Sequence, residues 1–477
     1  MCGITGIISK NDINSQLNSD LYESLLNIQH RGQDACGYII NYKDDIVSLK
    51  KNGLVKNAIN YNELLEIDGE IAIGHTRYPT TYSKNDNENQ PFNKYSKCGI
   101  NVSIVHNGNL YDYEELKTTL IKKNCVFTSN SDSEIILNLF CNILDNYIFY
   151  DESFNYTNLH DNEKFDNMIY KTVHEIINTL KGSFSVILLI KNYGLVCFRD
   201  KYGIRPLCYG SNKNNILISS ESVCLDILNY TNIEDVNEII LMKKNNVINK
   251  YKYNFNLSPC IFEYVYLSRP ESVINGVSVY QARINMGHYL SLNIRKQLKD
   301  ELTKIDSIIP VPDSSLISCT KLAEELKIPL KFGIIKNRYI DRTFIMKNQD
   351  DRRNNIKRKL FIVKEEVNNK NIIIVDDSIV RGNTSKHIIS ELKQNGAKKI
   401  YFASCSPEIK YSNKYGIDLP NQKDLIAYNK NINDIEKSLN VDKIIYQNID
   451  DLKKSITNIN DKINNFELSI FNGIYIC

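Results

Sequence analysis

The sequence predicts two domains of different class: an α+β domain with layered antiparallel sheets over residues 2–255, then an α/β domain with a parallel sheet over residues 256–477. Three observations carry this. The 477 residues allow two or three domains at about 150 residues each. Up to about residue 255, short β-rich segments are punctuated by turns. From about residue 275, strands alternate with helices, which implies βαβ units.

In the first half, strand patterns cover residues 2–8, 71–77, 102–106, 183–190, 195–198 and 216–219. Helical patterns cover 19–29 and 133–148. Residues 149–169 are polar and aperiodic, and read as a surface excursion. In the second half, a helix over 279–298 leads to an apolar strand over 307–311 and a helix over 316–326. A strand over 371–375 runs into a helix over 384–395, and a third strand follows at 399–404. The seam falls near residues 250–265.

Lys and Arg number 59 against 56 Asp and Glu, a net charge of +3. That balance argues against a nucleic acid or an anionic membrane as the main partner. No apolar run approaches the ~18 residues a spanning helix needs, and the first residues lack the features of a signal peptide. The expected compartment is the cytoplasm, where 12 scattered cysteines without a C-x-x-C pair are free thiols.

Cys2 follows the initiator Met. Removal of that Met leaves a cysteine with a free α-amine, so one residue supplies both nucleophile and base. An isolated Cys2 reads more readily as a plain buried cysteine, but Cys2-Gly3-Ile4-Thr5-Gly6 leaves room beside the thiol. Downstream lie His30-Arg31-Gly32-Gln33-Asp34, Gly74-His75-Thr76-Arg77-Tyr78 and His106-Asn107-Gly108-Asn109-Leu110, each where a strand or helix gives way to a loop. An Asn amide and a Gly N–H suit a tetrahedral oxyanion. Arg77 suits a carboxylate held bidentately, and otherwise reads as a structural ion pair. Asp132 suits an α-ammonium, although Ser131-Asp132-Ser133-Glu134 also reads as a helix capping box.

Together these segments resemble the N-terminal-nucleophile (class II) glutamine amidotransferases over roughly residues 2–250, continuing through Gly182-Ser183-Phe184, Gly203-Ile204-Arg205-Pro206-Leu207 and Ser220-Glu221-Ser222. The resemblance implies that Cys2 attacks the glutamine side-chain amide and that Asn107 and Gly108 form the oxyanion hole. It also implies that Arg77 and Asp132 bind the ends of glutamine, with Arg31 nearby.

In the second half, a buried strand ends in Asp376-Asp377, and Ser378-Ile379-Val380-Arg381-Gly382-Asn383-Thr384-Ser385 then opens a helix. Backbone N–H groups at such a helix start suit a phosphate, and the two carboxylates lie where ribose hydroxyls or a hydrated Mg²⁺ would sit. A plain strand–loop–helix turn is the bland alternative. The full run resembles the phosphoribosyl pyrophosphate signature of type I phosphoribosyltransferases. With Phe262-Glu263-Tyr264-Val265-Tyr266, Pro310-Val311-Pro312-Asp313-Ser314, the stretch from Lys336 to Met346 and Tyr415-Gly416-Ile417-Asp418, the whole chain resembles the amidophosphoribosyltransferase family, in order and across both halves.

That resemblance implies glutamine and phosphoribosyl pyrophosphate as substrates, purine nucleotides as feedback inhibitors and a homotetramer. It implies one Mg²⁺ per subunit near Ser314, Asp376 and Asp377. It places phosphoribosyl pyrophosphate on Asp376, Asp377, Ser378, Arg381, Gly382, Thr384 and Ser385, with Lys336, Arg338, Tyr339 and Arg342 in a closing loop. Some members carry a four-iron cluster. Here Cys260 and Cys477 lack paired cysteines, so the cluster-free branch is expected. Asp341 and Lys347 stand where the family commonly has Gly and Pro. Rival readings are a different amidotransferase, such as an asparagine synthetase or a hexosamine-phosphate synthase, and a sensor without chemistry. The absence of S-G-G-x-D-S opposes the first, the acidic-pair loop opposes the second, and the complete nucleophile set opposes the third.

Overall fold

The structure is a computed structural model that describes all residues except 11–15, 43–44, 79–85, 152–153, 155–158, 160–161, 244–246, 338–359 and 420. In the first half the strands are β1 (Gly3–Ser9), β2 (Ala35–Tyr42), β3 (Asp45–Asn52), β4 (Ile71–Arg77), β5 (Phe92–Tyr95), β6 (Asn101–Leu110) and β7 (Gly182–Ile190). They continue with β8 (Gly194–Arg199), β9 (Cys208–Ser211), β10 (Asn215–Ser219), β11 (Thr231–Asp235), β12 (Ile239–Lys243) and β13 (Val247–Tyr251). They form two antiparallel sheets, ordered β11-β9-β10-β1-β4-β2-β3 and β13-β12-β8-β7-β6-β5.

The two-residue period of a strand explains the layering. Ile4 and Ile8 of β1, with Ile218 of β10, face Val105 and Ile187 of the second sheet. Ile7 points the other way, into a cluster with Leu17, Leu21 and Leu25 of helix Gln16–Asn27. Helices Asp132–Phe149 and Glu163–Thr179 cover the outer face of the second sheet, packing on Val102, Ile104, Val186 and Leu188. The result is the expected layered α+β domain, with helices outside both sheets.

The second half contains the hairpin β14 (Val273–Ile274) and β15 (Val277–Ser278), strand β16 (Ser307–Pro310), and the pair β17 (Ile334–Lys336) and β18 (Leu360–Ile362). It then contains β19 (Asn371–Asp376), β20 (Lys399–Ser404) and β21 (Lys443–Tyr446). The sheet β16-β19-β20-β21 is parallel throughout. In β19, Ile372 and Ile374 face helices Asn383–Gln394 and Ile432–Leu439, whereas Ile373 and Val375 face helices Val279–Leu298 and Leu316–Leu326. A strand buried on both faces reads as one continuous apolar run, as this one does.

Three differences from the sequence reading stand out. Strand β6 runs to Leu110 rather than ending at His106, because Asn107 to Leu110 pair with Ser185 to Gly182 of β7. Asn107 and Gly108 therefore lie inside a strand, not in a loop. The end of the polar excursion is helix Glu163–Thr179, whose Phe165, Ile169, Val173 and Ile176 repeat at helical spacing. A fourth parallel strand, β21, was not read from the sequence. Among the described residues no helix is long and apolar enough to cross a membrane.

The two halves meet over a shared apolar cluster. Ile204, Tyr202 and Tyr111 from the first half pack with Phe262, Tyr264 and Tyr415 from the second.

Candidate active sites

At the first site, Cys2 precedes the ladder, whose first β1–β4 pair is Gly3 with Thr76. Its N–H donates to Asn107 Oδ1 at 3.2 Å, and its thiol lies 3.7 Å from the Tyr78 carbonyl. Asn107 is fully buried, and its Nδ2 has no hydrogen-bond partner among the described residues. A buried donor left free is costly, and it is suited to an oxyanion arriving with substrate. Gly108 sits so tightly against β7 that a Cβ there would lie 2.0 Å from the Ser183 carbonyl oxygen.

Asp132 opens helix Asp132–Phe149, and its Oδ2 accepts the Leu110 N–H at 2.9 Å. Burial penalises this carboxylate, but His106 and the N–H groups of Leu110 and Ser133 outweigh it and hold its pKa below the ordinary value. Ser131 is the N-cap, accepting from the Ser133 N–H. Glu134 does not reach back to complete a capping box. It accepts instead from the N–H and hydroxyl groups of Thr128 and Ser129, pinning the loop before the helix. Arg77 pairs with Glu88 at 2.6 Å and Asn89 at 2.8 Å.

Arg31 is buried at the seam. Its Nε donates to the Cys2 carbonyl at 3.2 Å, and its guanidinium is held by Glu221 and Glu263. Arg205 meets the same Glu263 at 3.1 Å. Arg205, Glu221 and Glu263 stood in motifs of the sequence without an assigned role. The available signal was a charge set among small and apolar neighbours. Loop residues of the second half brace β6 and its neighbour β7: Lys414 O accepts from Asn109 Nδ2 at 3.0 Å and Tyr415 O from Ser183 Oγ at 2.9 Å.

The second site lies at the carboxyl ends of β16 and β19, where parallel sheets place ligands. Asp376 and Asp377 are both buried. The Asp377 N–H donates to Asp376 Oδ1 at 2.9 Å. Ser378 Oγ donates to Asp377 at 2.5 Å, and Ser314 Oγ donates to its other oxygen. Burial pushes both carboxyl groups up, and for Asp376 the charge of Asp377 adds to the shift. Two hard-oxygen groups resisting ionisation beside a serine hydroxyl fit a cation that takes oxygen ligands.

Gly382 adopts φ +75° just before helix Asn383–Gln394, and a Cβ there would come within 2.4 Å of Ile426. This position needs glycine, and it opens the helix that follows the acidic pair. Arg381 and Thr384 are exposed beside it, and Ser385 is buried. Lys336 Nζ is 2.7 Å from Asp313 in the loop after β16. Arg338, Tyr339 and Arg342, with Asp341 and Lys347, lie outside the described residues.

A glutamine amidotransferase domain family matches residues 75–226, and a phosphoribosyl transferase domain family matches residues 290–415. The amidophosphoribosyltransferase of Haemophilus influenzae is 40% identical, across 100% of this chain and 93% of its own length. That of Escherichia coli is 38% identical, across 100% of this chain and 92% of its own. The solved glutamine phosphoribosylpyrophosphate amidotransferase from B. subtilis, complexed with ADP and GMP, superposes with a TM-score of 0.83 at 29% identity. It covers 100% of this chain and 97% of that one.

Proposed function

The chain belongs to the amidophosphoribosyltransferase family, and from that premise we propose how its two sites share the work. The activity is glutamine-dependent amidotransfer to phosphoribosyl pyrophosphate in purine biosynthesis. The observation that carries the division of labour is the Cys2 N–H held on Asn107, whose Nδ2 is left free.

With Met1 removed, the α-amine of Cys2 takes the thiol proton and the thiolate attacks the glutamine side-chain amide. Asn107 Nδ2 and the Gly108 N–H receive the oxyanion. Asp132 takes the α-ammonium, and Arg77 turns from Glu88 and Asn89 to the α-carboxylate. The tetrahedral adduct breaks its C–N bond, the Cys2 ammonium returns its proton to the leaving nitrogen, and ammonia departs across the seam; water then hydrolyses the thioester to glutamate and the free thiol.

At the second site Asp376 and Asp377 orient the ribose hydroxyls. Ser378, Arg381, Gly382, Thr384 and Ser385 hold the 5-phosphate on the helix start, and Lys336 faces the pyrophosphate, with Arg338, Tyr339 and Arg342 as further partners of it. Ser314, Asp376 and Asp377 would hold one Mg²⁺, which when bound offsets the charge of departing pyrophosphate. Ammonia attacks C1, the C1–O bond to pyrophosphate breaks, and 5-phosphoribosylamine forms. Purine nucleotides act as feedback inhibitors, the assembly is a homotetramer, and the enzyme works in the cytoplasm.

Asp377→Asn tests the second site. The carboxylate lies at a strand end outside the apolar core, so the variant should fold. Synthesis should fall about 10²-fold or more with either glutamine or ammonia as donor, and GMP should lower the wild-type rate. A near-native synthetic rate in Asp377→Asn would remove the acidic pair from the mechanism.

A further inference from the structure

The first site takes a support from the second half of the chain. Cys2 lies outside the β1 ladder, so no sheet hydrogen bond fixes its backbone. Two contacts do so instead: its N–H on Asn107 Oδ1 at 3.2 Å, and its carbonyl on Arg31 Nε at 3.2 Å. Once Met1 is gone this residue is a chain end, and chain ends wander unless tied down. The Arg31 contact is then half of what aims the thiol.

What aims Arg31 is the question that follows. Its Nη1 meets Glu221 at 2.5 Å, and Nη1 and Nη2 meet Glu263 at 3.2 and 3.0 Å. Glu221 belongs to the first half, but Glu263 opens the short helical turn Glu263–Leu267 at the start of the second. Glu263 also accepts from Arg205 Nη1 at 3.1 Å and Ser268 Oγ at 2.7 Å. Arg283, from helix Val279–Leu298, clamps that turn by donating to the Tyr264 and Ser268 carbonyls at 3.1 and 2.8 Å. Two arginines and two glutamates, none more than 2% exposed, make a neutral and saturated cluster. Buried charges tolerate little deviation from good geometry, because a lost partner leaves an uncompensated ion. The arrangement this cluster adopts puts Arg31 Nε on the Cys2 carbonyl.

We infer that Glu263 is a positioning residue of the glutaminase centre, acting through Arg31 on the backbone of Cys2. The glutamine-hydrolysing site is thus completed by a carboxylate from the phosphoribosyltransferase half. This inference rests on Cys2 being the nucleophile.

The test uses the full-length, Met1-processed chain. Glu263→Gln keeps the shape and removes the charge. Glutamine-hydrolysis kcat should fall about 10²-fold, the scale of a misplaced reacting group, with KM changing less than about threefold. Ammonia-dependent synthesis in the same preparation should stay within about twofold, because that site is untouched. Glu263→Asp, which keeps the charge, should recover part of the kcat. In an Arg31→Gln background, adding Glu263→Gln should cause no further loss, since both changes break one relay. Unchanged kcat in Glu263→Gln would overturn the inference. So would equal loss of both activities, which marks a cluster serving only the seam. Should Glu263→Gln fail to fold, a wild-type kcat in Glu263→Asp overturns it equally. Failure of the wild-type chain to release glutamate would sink the Cys2 reading, a separate outcome.

Discussion

His75 shows what one buried side chain contributes to pH dependence. It is fully buried on β4, and burial, then the charges of Arg77 and His106, pull its pKa down to about 3. In the unfolded chain it titrates near ~6.5. Below that pH the unfolded state binds one more proton than the folded state, so stability falls as pH drops from about 6.5 toward 3. The slope is up to about 1.4 kcal/mol per pH unit. Unfolding free energies between pH 7 and 5 should show this slope, and His75→Asn should flatten it. An unaltered slope would mean that His75 is already charged when folded. At this scale the sequence was informative where one short motif named the candidates, as for Cys2, Asn107 and the Asp376–Asp377 pair. It was silent on the partners of Arg31, because Glu221 and Glu263 lie 190 and 232 residues away along the chain. Local spacing carries no information about contacts of that range.

Among the elements, the turn carrying Tyr415 and Gly416 ties the halves together, with Tyr415 O accepting from Ser183 Oγ and Arg205 Nε. Gly416 adopts φ +94°, and a Cβ there would stand 3.1 Å from the Gly108 carbonyl oxygen. Gly416→Ala is therefore strained in its own backbone and presses on β6 at Gly108. Glutamine hydrolysis should drop about tenfold or more, since small displacements of reacting groups are costly. The ammonia-dependent rate should be retained. Equal rates with glutamine before and after the change would show that the strand does not feel the turn. Elements with strong patterns were legible almost to the residue: helices Val279–Leu298 and Leu316–Leu326, and strands β4 and β20. Strand β21 was not, because Lys-Ile-Ile-Tyr is four residues in a polar stretch, too short to show a period. The extension of β6 was hidden for another reason. His106-Asn107-Gly108-Asn109 reads as a turn, and only pairing with β7 makes it a strand.

Over the whole molecule, two folds share one cluster of apolar side chains and one buried group of charges, yet each carries its own chemistry. The two-domain order was legible because the period of the pattern changes near the seam, from short β-rich segments to strands alternating with helices. How closely the halves interlock was not, because the seam is built by single residues from both. The central claim is that Cys2 makes ammonia and the acidic-pair site uses it. Replacing Cys2 by Ala removes the thiol and leaves the acidic pair untouched. The measurement is phosphoribosylamine formation by Cys2→Ala, with glutamine and with ammonia at high pH side by side. The account predicts loss of glutamine-dependent synthesis by several orders of magnitude beside retained ammonia-dependent synthesis. Retained use of glutamine, or equal loss with both donors, would contradict it.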